Sequence, residues 1–151
     1  MQEQKWHEEV RLEIIEALER QGRNVKGSHF DNPKIELFRQ GLKYENRLSD
    51  ADIAEFEKNG ERVLQIIEVE SQINPKKFMG IVLATHLCNE CLRKTEHYVL
   101  NDWDVFLTIV YKKPIKESKK ADKLKIMKEP LKRVIKELRG SLKDFDWEEH
   151  P

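Results

Sequence analysis

The chain lacks most of the features that mark exported, membrane-bound or cofactor-dependent proteins. It has two cysteines in 151 residues, and no run approaches the 18 apolar residues of a membrane-spanning helix. The N-terminal segment MQEQKWHEEV is too polar for a signal peptide. No glycine-rich phosphate loop, serine–histidine triad or internal repeat emerges. We therefore expect a cytoplasmic protein in a reducing compartment, without a membrane span or a small-molecule cofactor.

The composition is that of a highly charged globular protein. Charged residues make up 37% of the chain, the formal net charge is zero, and the mean hydropathy is −0.74. A chain of this length can bury a real core as one domain. We expect that domain to span residues 1–143, with residues 144–151 as a flexible tail.

The neutral total hides a basic block near the C-terminus. Residues 112–143 contain 13 Lys and Arg against 4 Asp and Glu, a net charge of +9. Such a block is typical of a nucleic-acid-binding surface. A solvated helical face has the same composition, and the sequence leaves both interpretations open.

Hydrophobic periodicity predicts helices mixed with strands. Apolar residues at three- and four-residue spacing predict a first helix over Trp6–Gln21, with Glu13 beside its apolar stripe. Asn74 and Pro75 are typical of an N-cap and a first helical position, so a helix is expected from there to about Arg93. The remaining predicted elements are a strand within 33–48, a hairpin over Ser49–Gln72, a strand over Asp104–Tyr111, and basic helices at about 120–128 and 130–140.

Three acidic residues of the predicted hairpin, SDADIAEFEKNGERVLQIIEVESQ, are placed where a sheet could gather them: Asp52, Glu68 and Glu70. Side chains alternate along a strand, so Glu68 and Glu70 share one face of the run Arg62–Glu70. Asp52 lies on the preceding strand. Carboxylates at the end of an apolar face are costly to bury unless a cation joins them, which makes a divalent metal site the natural hypothesis. The competing interpretation is an exposed strand edge, or pairing with Lys and Arg.

The turn of this hairpin decides whether Asp52 can join Glu68. A two-residue turn at Asn59-Gly60 sets Asp52 opposite Ile67 and directs it away from Glu68. A three-residue loop, Lys58–Gly60, with a bulge puts Asp52 on the face of Glu68. A carboxylate cluster needs this second register or another odd-length loop.

Asp52, followed sixteen residues later by Glu68-Val69-Glu70 on the next strand, resembles the core of the PD-(D/E)XK nuclease superfamily. That family has an α-β-β-β-α-β core, in which an acidic residue near one strand end precedes a (D/E)-x-K tripeptide on the next strand. The resemblance covers about residues 6–112. It implies a restriction-endonuclease-like α/β fold, with a small mixed sheet flanked by helices. The helices predicted from periodicity at about 118–140 are an addition to that core.

The resemblance also implies a metal site and roles for its residues. Asp52 and Glu68 would bind Mg²⁺ or Mn²⁺, with the Val69 carbonyl and Glu70 completing the protein ligands. Glu70 could instead serve as general base, and Glu13 would hold a metal-bound water or a second ion. Phosphodiester hydrolysis needs an activated water and stabilisation of developing negative charge, both of which Mg²⁺ supplies.

The chain departs from the family pattern at one position. Glu70 stands where the family usually has Lys. Some members carry Glu or Gln there, and in others the neighbouring helix supplies the lysine, a role for which Lys76 or Lys77 is suitably spaced. The sequence therefore predicts a metal-dependent endonuclease acting on DNA, and cleavage of both strands favours a homodimer. The alternative is an inactive module of the same fold that binds nucleic acid or a protein partner.

A second set of possible metal ligands follows in the predicted helix. His86, Cys88, Cys91 and His97 form H-x-C-x₂-C-x₅-H, which contains four possible zinc ligands. One CxxC without a second pair is a weak indication of zinc. A cysteine packed in the core is the simpler interpretation of Cys88.

Overall fold

The computed structural model describes residues 2–28, 33–40, 47–114, 116 and 119–151. These residues form a mixed α/β structure with three helices and nine strands. None of the three helices is long and apolar enough to cross a membrane. The helices are α1 (Gln2–Arg20), α2 (Pro75–Leu87) and α3 (Lys119–Glu137); the strands are β1 (Val25–Gly27), β2 (Ile35–Phe38), β3 (Arg47–Ala51), β4 (Ile53–Phe56), β5 (Val63–Glu70), β6 (Glu90–Arg93), β7 (Glu96–Val99), β8 (Val105–Lys112) and β9 (Leu142–His150).

A five-stranded mixed sheet, in the order β1-β4-β5-β8-β9, forms the centre of the protein. β4 is antiparallel to both β1 and β5, whereas β8 is parallel to both β5 and β9. The inner strands β5 and β8 are rich in Val, Ile and Leu because both faces of a parallel region are covered. The carboxyl ends of β5, β8 and β9 therefore meet at one edge of the sheet.

The remaining strands form a second, antiparallel sheet in the order β3-β2-β6-β7. β2 pairs with β3 and β6, and β6 pairs with β7. Chain order alternates between the two sheets, since β2 and β3 lie between β1 and β4 and the β6–β7 hairpin lies between α2 and β8.

Helices cover both faces of the central sheet. α1 packs its apolar residues against Ile53, Ile67 and Val69. The larger core lies on the opposite face, where α2, α3 and the second sheet meet Ile66 and its neighbours. Burial of these side chains supplies the main stabilising free energy of the fold.

The helix predicted from Asn74 begins as expected and ends earlier. The Asn74 side chain caps α2 by accepting a hydrogen bond from the Lys77 N–H at 3.1 Å. The helix stops at Leu87, and Cys88 has extended backbone. Residues 90–93 form β6 because they pair with β2, a tertiary interaction that the local periodicity does not contain.

Two predictions for the C-terminal region are wrong. The helices expected at 120–128 and 130–140 are one helix, α3, which continues through Pro130 because Leu124, Leu131 and Ile135 keep a single buried stripe. The tail expected at 144–151 belongs to β9, the strand parallel to β8. Its acidic residues suggested a solvated tail, but Phe145 is buried and Trp147 packs against the core.

The region before the hairpin was predicted only coarsely. The strand expected within 33–48 corresponds to β2, and the start of β3 falls in the same range. Residues 41–46 of that range lie outside the described residues. The three-residue strand β1 was not predicted because it is too short for alternation to be read.

Candidate active site

Asp52 lies between β3 and β4, at the carboxyl end of the neighbouring strand β5. The loop of the hairpin has four residues, Lys58–Glu61, closed by a hydrogen bond from the Glu57 N–H to the Arg62 carbonyl at 2.8 Å. Neither predicted loop length is therefore correct. A bulge between Glu55 and Phe56 shifts the register of β4 against β5 by one residue. This shift puts Asp52 on the same face of the sheet as Glu68, as a carboxylate cluster requires.

The corrected register brings Asp52 to the end of β5. Ile53 pairs with Ile67, so Asp52 continues the ladder opposite Glu68. Oδ2 of Asp52 accepts a hydrogen bond from the backbone N–H of Val69 at 2.8 Å. Burial disfavours the charged carboxylate, but hydrogen bonds from His7, Glu68 and Val69 outweigh it and lower the pKa of Asp52.

Glu68 is a buried carboxyl group with incomplete hydrogen bonding. The residue is 6% exposed, and its Oε1 has no hydrogen-bond partner. Burial, followed by the charge of Asp52 and a hydrogen bond with it, raises the pKa of Glu68 well above its ordinary value. Asp52 is therefore the stronger acid of the pair, and Glu68 is the group that holds its proton more readily.

Glu70 and Lys77 meet beside this pair. Nζ of Lys77 donates to Oε2 of Glu70 at 2.8 Å, and this hydrogen bond raises the pKa of Lys77. Lys77 lies in the first turn of α2, where the Asn74 cap fixes the helix start next to the end of β5. Of the two lysines considered from the sequence, the structure brings Lys77 to the carboxylates. Lys76 is exposed.

Glu13 is not brought into the cluster. Its Oε2 lies 3.4 Å from Nε2 of His150, at the end of β9, and its side chain is 66% exposed. The helical face that carries Glu13 is therefore directed toward the last strand of the sheet. The predicted role of Glu13 required α1 to be rotated so that Glu13, rather than His7, faces Asp52.

His7 is the residue of α1 that reaches Asp52, and the sequence reasoning missed it. Nε2 of His7 lies 3.4 Å from Oδ2 of Asp52. The hydrogen bond with Asp52 outweighs burial and raises the pKa of His7. His7 precedes Val10 by three residues and Ile14 by seven, so it continues the buried stripe by one turn. That spacing could have identified it.

The donor set suits one kind of metal better than others. No group of three His, Cys, Asp or Glu side chains is placed to hold a metal in the part of the chain that the structure describes. Mg²⁺ is usually bound by one or two carboxylates, with waters and substrate phosphates as the other ligands. The Asp52–Glu68 pair, with the unpartnered Oε1 of Glu68, fits this requirement.

The residues considered for zinc have other roles. Nδ1 of the fully buried His86 accepts a hydrogen bond from the Leu142 N–H at 3.0 Å, and its Nε2 bonds the Leu138 carbonyl. Both ring nitrogens are thus used to join α2 to the segment between α3 and β9. Burial raises the pKa of both Cys88 and Cys91 to about 12, so both remain neutral thiols in the core.

Comparisons with protein-family models, curated proteins and solved structures found no significant match to this chain.

Proposed function

We propose that the protein is a metal-dependent endonuclease that hydrolyses phosphodiester bonds in DNA. The observation that carries this proposal is the convergence of Asp52, Glu68, Glu70 and Lys77 at the carboxyl end of β5. The Asp52–Glu68 pair, with Glu70 and Lys77 beside it, offers the carboxylates and the lysine that a PD-(D/E)XK site uses. Lys77, delivered by α2, takes the place of the lysine that Glu70 replaces.

The order of elements supports a restriction-endonuclease-like core. Within the central sheet and its helices, the chain follows the order α1, β1, β4, β5, α2 and β8. This is an α-β-β-β-α-β sequence, and the second sheet consists of hairpins inserted into it. Asp52 precedes the second of the three strands and Glu68-Val69-Glu70 ends the third, as the proposed family requires.

The residues have distinct roles in the proposed reaction. Asp52 and Glu68 would hold Mg²⁺ or Mn²⁺, with the Val69 carbonyl as a further ligand and Glu70 as the general base. When bound, the ion supplies charge stabilisation for the phosphate and lowers the pKa of a water. Lys77 offers a cation to the developing negative charge, which frees Glu70 to accept a proton from the attacking water. Because burial raises the pKa of Glu68 and a metal would bind its ionised form, metal binding should strengthen as pH rises.

Plasmid cleavage tests the proposal. Supercoiled plasmid is incubated with Mg²⁺ or Mn²⁺ and wild-type protein, and nicked and linear products are measured. Asp52→Ala and Glu68→Ala are each expected to reduce the cleavage rate at least 100-fold, since each removes a metal ligand. Asp50→Ala is the matched control, because Asp50 lies two residues away and faces Arg47 instead. Cleavage that survives both site substitutions would contradict the proposal.

Cutting both strands of a duplex generally takes two sites, so we include a homodimer in the proposal. Sedimentation with and without a duplex oligonucleotide tests this part separately. If the protein cleaves DNA but remains monomeric on it, the nuclease proposal stands and the homodimer is rejected.

The second candidate function is a binding module of the same fold without chemistry. The raised pKa of Glu68, and the pairing of Glu70 with Lys77, favour it. Calorimetric titration with Mn²⁺ separates the two candidates. An endonuclease should take up Mn²⁺ in a way that requires Asp52, whereas a binding module should show no such uptake.

A further inference from the structure

A cavity of about 300 Å³ opens at the edge of the central sheet where β5 and β8 end. One wall is the segment 71–73, which follows β5. The other walls are Lys112, Lys113 and Pro114 at the end of β8, and Lys120 in the first turn of α3. The cavity therefore lies where β5 and β8 leave the sheet and α3 begins.

This cavity adjoins the carboxylate cluster. Glu70 pairs with Tyr111 in the parallel ladder, so the next residues along the two strands, Ser71 and Lys112, line the cavity. The Glu70–Lys77 pair thus lies one residue before the cavity wall. A strand of nucleic acid with one phosphate at the carboxylates would present a neighbouring phosphate here.

The described lining of the cavity is basic. It includes three lysines, and the other described lining residues are uncharged. Lys112 and Lys113 form no ion pair with the described residues; Nζ of Lys112 lies 5.8 Å from the centre of the Trp6 ring. Two carboxylates beside the cavity wall are hydrogen-bonded: Glu70 accepts from Lys77, and Glu3 accepts from the amide of the lining residue Gln72 at 2.9 Å.

The backbone of the cavity wall is held in place. The Lys113 N–H donates to the His150 carbonyl at 3.1 Å, which ties the end of β8 to the end of β9. Trp6, beneath Lys112, also packs edge-on against the His150 ring. The lysine stems therefore start from a fixed frame while their ammonium groups stay exposed, which suits capture of a phosphate by point charges.

We propose that this lysine cavity binds a phosphate of the nucleic-acid strand next to the phosphate that is cleaved. The inference rests on the proposed function, since it takes the strand to be the substrate. Phosphate contacts fix the position of a strand and carry no sequence information. The cavity would thus set which phosphodiester bond reaches Asp52 and Glu68.

Binding measured without metal tests the cavity separately from the chemistry. A labelled DNA duplex is titrated in EDTA at several salt concentrations with wild-type protein and with Lys112→Ala/Lys113→Ala. The double variant should bind roughly tenfold more weakly, and the slope of log affinity against log salt concentration should be shallower by about 1, because one phosphate is no longer neutralised. The matched control is Lys136→Ala/Lys143→Ala, which removes two exposed lysines at the opposite edge of the sheet.

The same titration distinguishes a strand phosphate from a free one. In competition with the duplex, a mononucleotide and inorganic phosphate should displace it only at millimolar concentration. Micromolar mononucleotide binding that the double variant abolishes, with duplex binding unchanged, would overturn the assignment to a strand. Duplex affinity and salt slope equal to those of the control variant would overturn the cavity altogether.

Cleavage measurements then separate failure of the cavity from failure of the proposed function. The double variant should raise KM for the duplex with a smaller change in kcat, because the lysines hold substrate away from the reacting atoms. Cleavage that requires Asp52 but is indifferent to both lysines, in KM and in binding, would remove only the cavity. If duplex binding requires the lysines but no cleavage depends on Asp52, the nuclease proposal alone would be rejected.

Discussion

The backbone N–H of Val69 donates to Oδ2 of Asp52 at 2.8 Å. This hydrogen bond joins a side chain before β4 to the main chain at the end of β5, so the position of Asp52 follows the sheet rather than its own turn. His7 approaches the same oxygen from α1. The negative charge of Asp52 is thereby stabilised by the fixed dipole of the Val69 N–H and by the titratable His7 ring. Both effects can be measured.

Asp52→Asn should lower the pKa of His7. The asparagine oxygen can still accept the Val69 hydrogen bond, but the negative charge that raises the pKa of His7 is lost. The imidazole C–H resonances of His7, followed by NMR from pH 5 to 9, report this value. Asp50→Asn should leave it unchanged, because Asp50 contacts Arg47. An equal His7 pKa in wild type and Asp52→Asn would contradict the described pair.

The wild-type protein should lose stability as pH rises because of Glu68, and Glu68→Gln should abolish this loss. Glu68 has a raised pKa in the fold, so above its ordinary pKa of 4.5 the folded state holds a proton that the unfolded state has released. Stability attributable to Glu68 therefore falls as pH rises, by up to about 1.4 kcal/mol per pH unit until the folded pKa is passed. Glutamine mimics the protonated form and has no such dependence.

Urea unfolding in EDTA at several pH values from 5 to 9 measures this difference. The stability of Glu68→Gln should exceed that of wild type by an amount that grows with pH. Added Mg²⁺ should narrow the gap by stabilising wild type alone, because it favours the ionised carboxylate. Parallel stability curves for the two proteins in EDTA would exclude the buried, protonated state of Glu68.

Local chemistry was sufficient to predict the elements that position the site. The apolar run ending at Glu70 predicted β5, and Asn74-Pro75 predicted the capped start of α2 that carries Lys77; both are confirmed. Each depends on interactions within a few residues, which sequence periodicity and capping rules describe directly.

Other features could not be predicted because they depend on distant partners. The bulge at Glu55–Phe56 determines which face of the sheet Asp52 lies on, and this bulge exists only in the pairing of β4 with β5. β9 has an acidic sequence typical of a solvated tail, yet it becomes a strand since Phe145 fills the core. The choice between His7 and Glu13 depends on the rotation of α1 against the sheet, which amphipathic spacing defines only to about one residue.

Arg23→Met should destabilise the fold strongly. Arg23 donates from Nε to Oε2 of the buried Glu55 at 2.9 Å and from a second nitrogen to the other carboxylate oxygen. Loss of Arg23 leaves that carboxylate buried, with the Gln65 amide as its remaining side-chain partner among the described residues, at a cost of about 3 kcal/mol. Arg47→Met is the control, since its exposed pair with Glu36 contributes less than about 1 kcal/mol.

Chemical denaturation at pH 7 measures both arginine variants. The double variant Arg23→Met/Glu55→Leu should recover most of the stability lost in Arg23→Met, because no buried charge remains. Equal losses of stability for Arg23→Met and Arg47→Met would contradict the burial of Glu55.

Two glycine-to-alanine changes should act in opposite directions. A Cβ at Gly140 would overlap the carbonyl oxygen and the ring of His86, the residue that links α2 to the start of β9. Neither can withdraw, because the His86 carbonyl accepts from the Ser141 N–H at 2.8 Å and its ring is hydrogen-bonded on both nitrogens. Gly140→Ala should therefore cost about 2 kcal/mol or more.

Gly80→Ala is the matched control in α2. A Cβ there meets nothing within 4 Å, so alanine only improves helix propensity and should stabilise the protein by about 0.5–1 kcal/mol. Thermal and urea unfolding of the two variants give the comparison directly. A stabilising Gly140→Ala would mean that His86 does not pack against the start of β9, and the link between α2 and the last strand would have to be abandoned.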